Sequence, residues 1–309
     1  MFAKIEKKLV ETLDRAEVLI DKLEQILPPP APVNDWQAIA YRWRRNRGSG
    51  RGFLQAVLHP HVIRFEDLKD IDEQKSRIDA NTKQFVAGRS ANNVLLTGAR
   101  GTGKSSLVKA ALQRYAKQGL RLIEVDKADL VDLPEIADLI AERKERFIIF
   151  SDDLSFEAND PGYKALKSVL DGGIAATNDN MIVYATSNRR HLMPEKMSEN
   201  EEAKHTDDGE IHPGETTEEK ISLSERFGLW LSFYPFGQEH YLDIARHWVG
   251  VLAPSIKKHD EETLRRAALL WALERGSRSG RVAYQFARDW AGNIPIAVPK
   301  KRTRAPAAK

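Results

Sequence analysis

The chain has 309 residues, a net charge of +3, 41% hydrophobic and 30% charged side chains, and no cysteine. Disulfides, thiolate zinc sites and cysteine nucleophiles are excluded, and the composition is that of a soluble globular protein with a sizeable core. No apolar run reaches membrane-span length and the N-terminus lacks an apolar signal region, so no membrane contact and a cytoplasmic location are expected.

Leu9, Leu13, Ala16, Ile20, Leu23 and Leu27 alternate four and three apart, which predicts one amphipathic helix over 2–27. Three heptads is the lower limit for a coiled coil, so packing on its own domain and self-association both stay open. Pro28, Pro29, Pro30 and Pro32 stop the helix and close a unit over 1–33. Residues 34–63 form a basic aromatic segment with Trp36, Tyr41, Trp43, Arg42, Arg44, Arg45 and Arg47, followed by the glycine-rich loop Gly48–Gly52. Such interleaving suits contact with single-stranded nucleic acid, or Trp and Tyr packed on the main domain with the arginines facing water.

From 64 to 236 apolar runs alternate with helical or loop stretches. The runs Asn93–Thr97, Leu122–Asp126, Phe147–Ser151, Met181–Thr186 and Leu229–Phe233 read as strands. Strands spaced this way need crossover connections, which predicts an α/β domain with a parallel sheet covered on both faces. Residues 237–292 read as three helices, His240–Val249, Glu261–Arg275 and Arg281–Trp290, hence a small all-α domain. The Lys/Arg/Pro/Ala-rich tail, 293–309, is expected to be disordered.

The most specific motif is Gly98-Ala99-Arg100-Gly101-Thr102-Gly103-Lys104-Ser105, which fits G-x-x-x-x-G-K-[ST] without a mismatch. It follows a buried strand and opens a helix, Ser105–Gln118, closed by Lys117 and Gly119. Glycines let such a loop turn its N–H groups inward as an anion nest at a helix N-terminus. ATP with Mg²⁺ is therefore the expected cofactor. Lys104 would reach the β- and γ-phosphates and the Ser105 hydroxyl would ligate the metal, with Ser106 completing the phosphate-binding stretch.

Phe147–Ser151 ends in Asp152-Asp153. A carboxylate at a strand tip beside a P-loop is where Mg²⁺ needs an acidic partner, so Asp152 is the metal-side candidate. The next residue points elsewhere, so Asp153 can polarise the attacking water.

With these residues in place, the chain resembles the AAA+ ATPases, and more closely the bacterial AAA+ family filed as domain of unknown function 815. The resemblance runs from about Trp36 to Trp290 and is carried by Phe65–Lys75, Asn92–Ala110, Phe147–Phe156, Tyr184–Leu192, Glu218–Gly228 and Arg278–Phe286. It implies a P-loop NTPase fold, a five-stranded parallel αβα AAA+ core over 64–236 followed by a small helical lid over 237–292. It also implies roles. Asn188, in Ala-Thr-Ser-Asn, stands at sensor 1, where its amide holds the attacking water or reports on the γ-phosphate. Arg226, in Ser-Glu-Arg-Phe-Gly, matches the arginine finger given to a neighbouring subunit, and Arg281, in Ser-Gly-Arg, matches sensor 2. A homo-oligomer completed through Arg226 in trans follows from that match. The chain departs from the family in two places: Asp152-Asp153 replaces the usual Asp-Glu pair, and 126–134 lacks the pore loop of protein-threading machines.

Between sensor 1 and the finger, residues 194–219 carry ten carboxylates, a stretch suited to docking a basic partner or to plain solvation. His205 and His212 lie within it without the spacing of a metal site. The function expected is ATP hydrolysis coupled to remodelling of a protein or nucleic-acid target. A nucleic-acid-associated ATPase of the helicase-loader kind and a nucleotide-gated binding module with little turnover are the alternatives.

Overall fold

The computed structural model describes residues 35–46, 48, 50–156, 160–171, 179–189, 204–205, 211–212, 225–254 and 261–293, with 9, 12, 13, 15–20 and 22 near the N-terminus. Five strands are mutually parallel: β3 (Val94–Gly98), β4 (Leu120–Glu124), β5 (Arg146–Ser151), β6 (Met181–Ser187) and β9 (Leu229–Phe233). They lie within two residues of the expected runs. β4 starts at Leu120 because that residue already pairs with Arg146 on β5.

Two strands of the main sheet lie outside the sequence reading. β1 (Ala40–Arg45) and β2 (Gly52–Ala56) form an antiparallel hairpin from the basic aromatic segment, and β1 pairs parallel with β4. The sheet therefore has seven strands in the order β2, β1, β4, β5, β6, β3, β9. A two-residue ladder, β7 (Lys204–His205) with β8 (Ile211–His212), stands apart from it.

Alternating side chains build two cores on opposite faces. One joins Leu96, Ile148, Phe150 and Tyr184 to Ile78 and Phe85 of α1 (Asp72–Val86) and to Leu107, Val108 and Ala111 of α2 (Lys104–Tyr115). The other joins Leu95, Phe147, Ile149 and Val183 to Ile136 of α3 (Leu133–Ile140) and Leu166 of α4 (Pro161–Leu170). Successive strand residues point to opposite faces, so a strand apolar at every position is the one buried on both sides. The helix expected through Gln118 ends at Tyr115. Ala116–Gln118 tighten into a 3-10 turn, and Gly119 closes it in the left-handed region at φ 92°.

The three C-terminal helices are α5 (Gln238–Leu252), α6 (Glu261–Glu274) and α7 (Gly280–Gly292). They share a separate core that includes Tyr241, Ala245, Leu264, Ala268, Ala283 and Phe286. The Tyr241 hydroxyl donates to the Ala268 carbonyl at 2.9 Å and ties α5 to α6. Within the N-terminal stretch, residues 12, 13, 15–20 and 22 are helical, and Leu13, Leu19 and Ile20 are all exposed. The rest of the 2–27 helix, the 293–309 tail beyond Asn293, and the acidic stretch apart from the short ladder lie outside the described residues.

The hairpin decides between the two readings of the aromatic residues. Tyr41 and Trp43 are buried in the sheet's second core, and Trp36 packs against it. The arginines do not simply face water. Arg42 pairs with Glu124 at 2.9 Å, Arg44 with Asp126 at 3.0 Å, and Arg45 with Asp132. Asp132 is buried and also accepts the Trp43 indole N–H at 2.9 Å. Burial by itself raises its pKa, but hydrogen bonds from Arg45 and Trp43 together hold the carboxyl below its usual range. Its folded pKa lies below the unfolded one, so its stabilisation is present above the unfolded value and is lost as pH falls through the folded one. Asp132→Ala leaves the Trp43 N–H without an acceptor. It is expected to destabilise the protein by about 2 kcal/mol at pH 7 in urea unfolding. The gap to the parent should narrow as pH drops below about 4. An equal stability at pH 7 would show that the hairpin is anchored elsewhere.

Candidate nucleotide site at the carboxyl edge of the sheet

The loop Gly98–Ser105 leaves the end of β3 and enters α2. Gly98, Gly101 and Gly103 take φ values of 127°, 74° and 99°, a region that disfavours any side chain. Two of them also have neighbours that forbid a Cβ. At Gly98 it would stand 1.9 Å from the Phe233 carbonyl oxygen, and at Gly101 it would stand 2.8 Å from the Ser279 hydroxyl. Thr102 donates its hydroxyl to the Ala99 carbonyl at 2.8 Å, and Leu107 N–H bonds the Gly103 carbonyl at 2.8 Å as α2 begins. The loop is thus held in its turned form by its own contacts, with α2 opening directly from it.

Lys104 is buried, and its ammonium donates to the Gly98 carbonyl at 2.7 Å, the Ala99 carbonyl at 2.8 Å and Asn188 Oδ1 at 3.0 Å. Burial lowers its pKa; Asp152 and Asp153 push the other way, while Arg100 and Arg281 add to the lowering. The net shift is downward. A buried ammonium beside two further guanidinium groups is a locus of positive potential, the chemistry that suits a polyanion.

The acidic side of the site is connected to this lysine. Ser105 Oγ donates to Asp152 Oδ1 at 2.6 Å, and Thr186 Oγ1 donates to the same oxygen at 2.5 Å. Asp153 turns sharply, at φ 56°, a left-handed conformation that costs an L-residue roughly 1–2 kcal/mol. Its N–H donates to Thr186 Oγ1 at 2.9 Å, and its carboxylate accepts from the Asn188 side-chain amide. Asn188 therefore bridges Lys104 and Asp153. Lys104, Ser105, Asp152, Asp153 and Asn188 form one cluster, although they come from three separate stretches of chain.

The C-terminal helices reach the loop. Gly280 N–H donates to the Gly101 carbonyl at 2.8 Å, and Ser279 caps α7 by accepting the Val282 N–H at 3.3 Å. Arg281, in the first turn of α7, lies beside Gly101, with its Cβ 3.5 Å from the place a Gly101 Cβ would take. A second attachment joins His247 Nε2 of α5 to Asp67 Oδ1 at 3.2 Å. Ser106, in the first turn of α2, is half-buried.

Arg226 lies elsewhere. It precedes β9, whose first residue, Leu229, pairs with Val94, while Phe233 at the other end pairs with Gly98. Four strand steps separate those ends, roughly 13 Å at about 3.3 Å per residue. Arg226 is thus at the amino edge of the sheet and the P-loop is at the carboxyl edge. Its guanidinium forms an ion pair with Asp171, just beyond α4.

Some residues of the site were not assigned from sequence. Thr186 sits inside the Ala-Thr-Ser-Asn run, and its hydroxyl meets both aspartates. Leu68 and Ile71 pack beside Gly103, with side-chain carbons 3.8 and 3.6 Å from where its Cβ would be. The signal for the last two was the Phe65–Lys75 stretch, which carries the family resemblance but has no chemistry of its own to read.

Comparison with solved structures finds the Thermotoga maritima RuvB Holliday junction branch migration motor at 15% identity and a TM-score of 0.47, covering 73% of this chain. A single-residue variant of that RuvB matches at 14% identity and a TM-score of 0.46, over 71% of this chain and 60% of its own. This chain spans 63% of the first of those structures. No curated protein matches the sequence. Among the described residues, no helix is long and apolar enough to cross a membrane. The fold is α/β, with a glycine loop between β3 and α2, a five-stranded parallel core extended by a hairpin, and three C-terminal helices. A family model described as "Protein of unknown function (DUF815)" matches residues 36–294, and the chain belongs to that family.

Proposed function

We propose that this protein is a Mg²⁺-dependent ATPase whose site is completed by Arg226 of a second copy. The observation that carries the reading is the continuous hydrogen-bonded cluster from Lys104 through Asn188, Asp153 and Asp152 to Ser105. A glycine loop that binds nothing has no need of a buried lysine linked through Asn188 to Asp153, and on through Thr186 to Asp152. In this reading the N–H groups of Gly98, Ala99, Arg100, Gly101, Thr102 and Gly103 cradle phosphate oxygens, and Lys104 neutralises them. Ser106 adds its N–H at the start of α2. Ser105 and Asp152 serve the metal side, Asp153 and Asn188 orient and polarise the attacking water, and Arg281 brings positive charge from the lid.

Among the described residues no group of three His, Cys, Asp or Glu side chains gathers as metal ligands, so Ser105 and Asp152 would hold the cation together with phosphate oxygens and water. Mg²⁺, when bound, supplies charge neutralisation on the phosphoryl oxygens. The position of Arg226 at the far edge of the sheet supports its use in trans, because its own P-loop lies a strand length away.

Three measurements test the proposal. Purified protein should release phosphate from Mg²⁺-ATP, and Lys104→Ala should fall to background, a loss of at least about a hundredfold. Equal rates in both proteins would reject the site. Arg226→Ala alone should lower kcat by roughly 10³-fold or more. Mixing it with Lys104→Ala subunits should recover part of the activity, since each mutant then supplies what its neighbour lacks. A mixture no more active than its components removes the trans assignment. Lys104 also sets a pH dependence. Its pKa is lowered in the free protein, and a polyanion raises it again, so nucleotide binding takes up protons at alkaline pH and affinity falls as pH rises. Calorimetry in buffers of different ionisation heat should detect that uptake, and buffer-independent heats would contradict it.

A further inference from the structure

We infer that Thr186 is a positioning residue that divides labour between the two consecutive aspartates, turning Asp152 toward the metal side and Asp153 toward the water side. The inference rests on the ATPase reading above. Thr186 lies near the carboxyl end of β6 and is 1% exposed. Its hydroxyl has one proton and two lone pairs. The Asp153 N–H can only donate, and an ionised Asp152 carboxylate can only accept, so the chemistry fixes the direction of both bonds. Asp153 N–H gives to Thr186 Oγ1 at 2.9 Å, and Thr186 Oγ1 gives its proton to Asp152 Oδ1 at 2.5 Å.

The rest of the β6 end grips the same turn. Leu154 N–H donates to the Thr186 carbonyl at 2.7 Å, and Ser187 Oγ donates to the Leu154 carbonyl at 2.7 Å. These two bonds hold residue 154 with or without the threonine hydroxyl. The hydroxyl holds what they do not, the peptide N–H of Asp153 and one oxygen of Asp152. Side chains of consecutive residues in an extended strand point to opposite faces. Asp152 and Asp153 follow β5, yet both face the cluster around Lys104, because Asp153 adopts φ 56°. An unfavourable backbone conformation of this kind persists where surrounding bonds hold it. Thr186 supplies the bond on the strained residue itself.

This arrangement bears on the Asp-Asp pair. The second carboxylate is one methylene shorter than the glutamate that the family resemblance leads one to expect. The left-handed turn brings that short side chain to Asn188, which in turn holds Lys104. Thr186 is therefore a condition for Asp153 to work from its position, without itself touching the reacting atoms.

The test compares Thr186→Val, which keeps the shape and removes the hydroxyl, with Thr186→Ser, which restores it. Thr186→Val should lower kcat for ATP roughly ten- to hundredfold, with KM for ATP changed less than about threefold. It should also raise the Mg²⁺ concentration needed for half-maximal binding of a fluorescent ATP analogue, while binding in excess EDTA stays the same. Thr186→Ser should stay within about threefold of the parent in each measure. Should Thr186→Val not accumulate as folded protein, Thr186→Ala removes the same hydroxyl with less bulk and takes its place.

A Thr186→Val protein that matches the parent, while Lys104→Ala is inactive, overturns the inference and leaves the ATPase reading standing. A Thr186→Ser protein as impaired as Thr186→Val also overturns it, since packing rather than the hydroxyl would then matter. A parent that binds ATP without turnover leaves the Mg²⁺ midpoint as the deciding measure, and an unchanged midpoint in Thr186→Val rejects the role. A parent that binds no ATP rejects both readings together.

Discussion

Parallel pairing of β3 with β6, and of β6 with β5, is the constraint on which the rest of the molecule depends. The register sets Thr97 opposite Ser187 and Ser151 opposite Ala185. Three strands consequently end at one edge, and whatever follows each of them is delivered to the same place. β3 delivers the glycine loop, β5 the aspartate pair, and β6 Thr186 and Asn188. Backbone hydrogen bonds within the sheet do this without any of the polar side chains having to find one another. The polar cluster then forms between groups already within reach.

A polar cluster so placed is costly unless its members satisfy one another, and here they do. Lys104 has three acceptors for three N–H groups. Asp152 accepts two hydroxyl protons on one oxygen, and Asn188 uses both ends of its amide. The same logic appears at the other side of the sheet, where buried Asp132 receives Trp43 and Arg45. In both places a buried charge meets a hydrogen-bond partner from a different stretch of chain, Asn188 Oδ1 for Lys104 and the Trp43 and Arg45 donors for Asp132, and so reports that those stretches have met. The first cluster gathers groups that suit a phosphate ester. The second locks a hairpin to a sheet.

The three C-terminal helices are a separate packing unit that is nonetheless tied to the loop. Its core is made by its own three helices, while Gly280 N–H and Ser279 meet Gly101, and His247 meets Asp67. Few contacts across a boundary make relative movement easy, and these contacts fall on the loop itself. A change at the loop is therefore felt by these helices directly. In the opposite direction, Arg281 reaches the site only because α7 begins where the loop turns.

Much of this was legible in the residues. The parallel strands were readable because a strand buried on both faces is apolar at nearly every position, as in Phe147-Ile148-Ile149-Phe150. The loop was readable because its glycines are demanded by local backbone conformation and the lysine and serine follow them at the spacing that phosphate chemistry requires. The hairpin was not, because a strand with arginine at alternate positions looks like a solvated basic face until Glu124, Asp126 and Asp132 arrive from elsewhere in the chain. Thr186 was hidden for the same reason, since a threonine in a strand is ordinary and only its distance from Asp152 and Asp153 gives it meaning. The amino-acid sequence by itself determined the five parallel strands, the glycine loop and the two aspartates, all of which follow from short-range patterns. Tertiary structure alone decided which arginines are engaged, which edge of the sheet holds Arg226, and which aspartate faces which partner. Those are questions of distance between remote residues, and distance is set by how the strands pair.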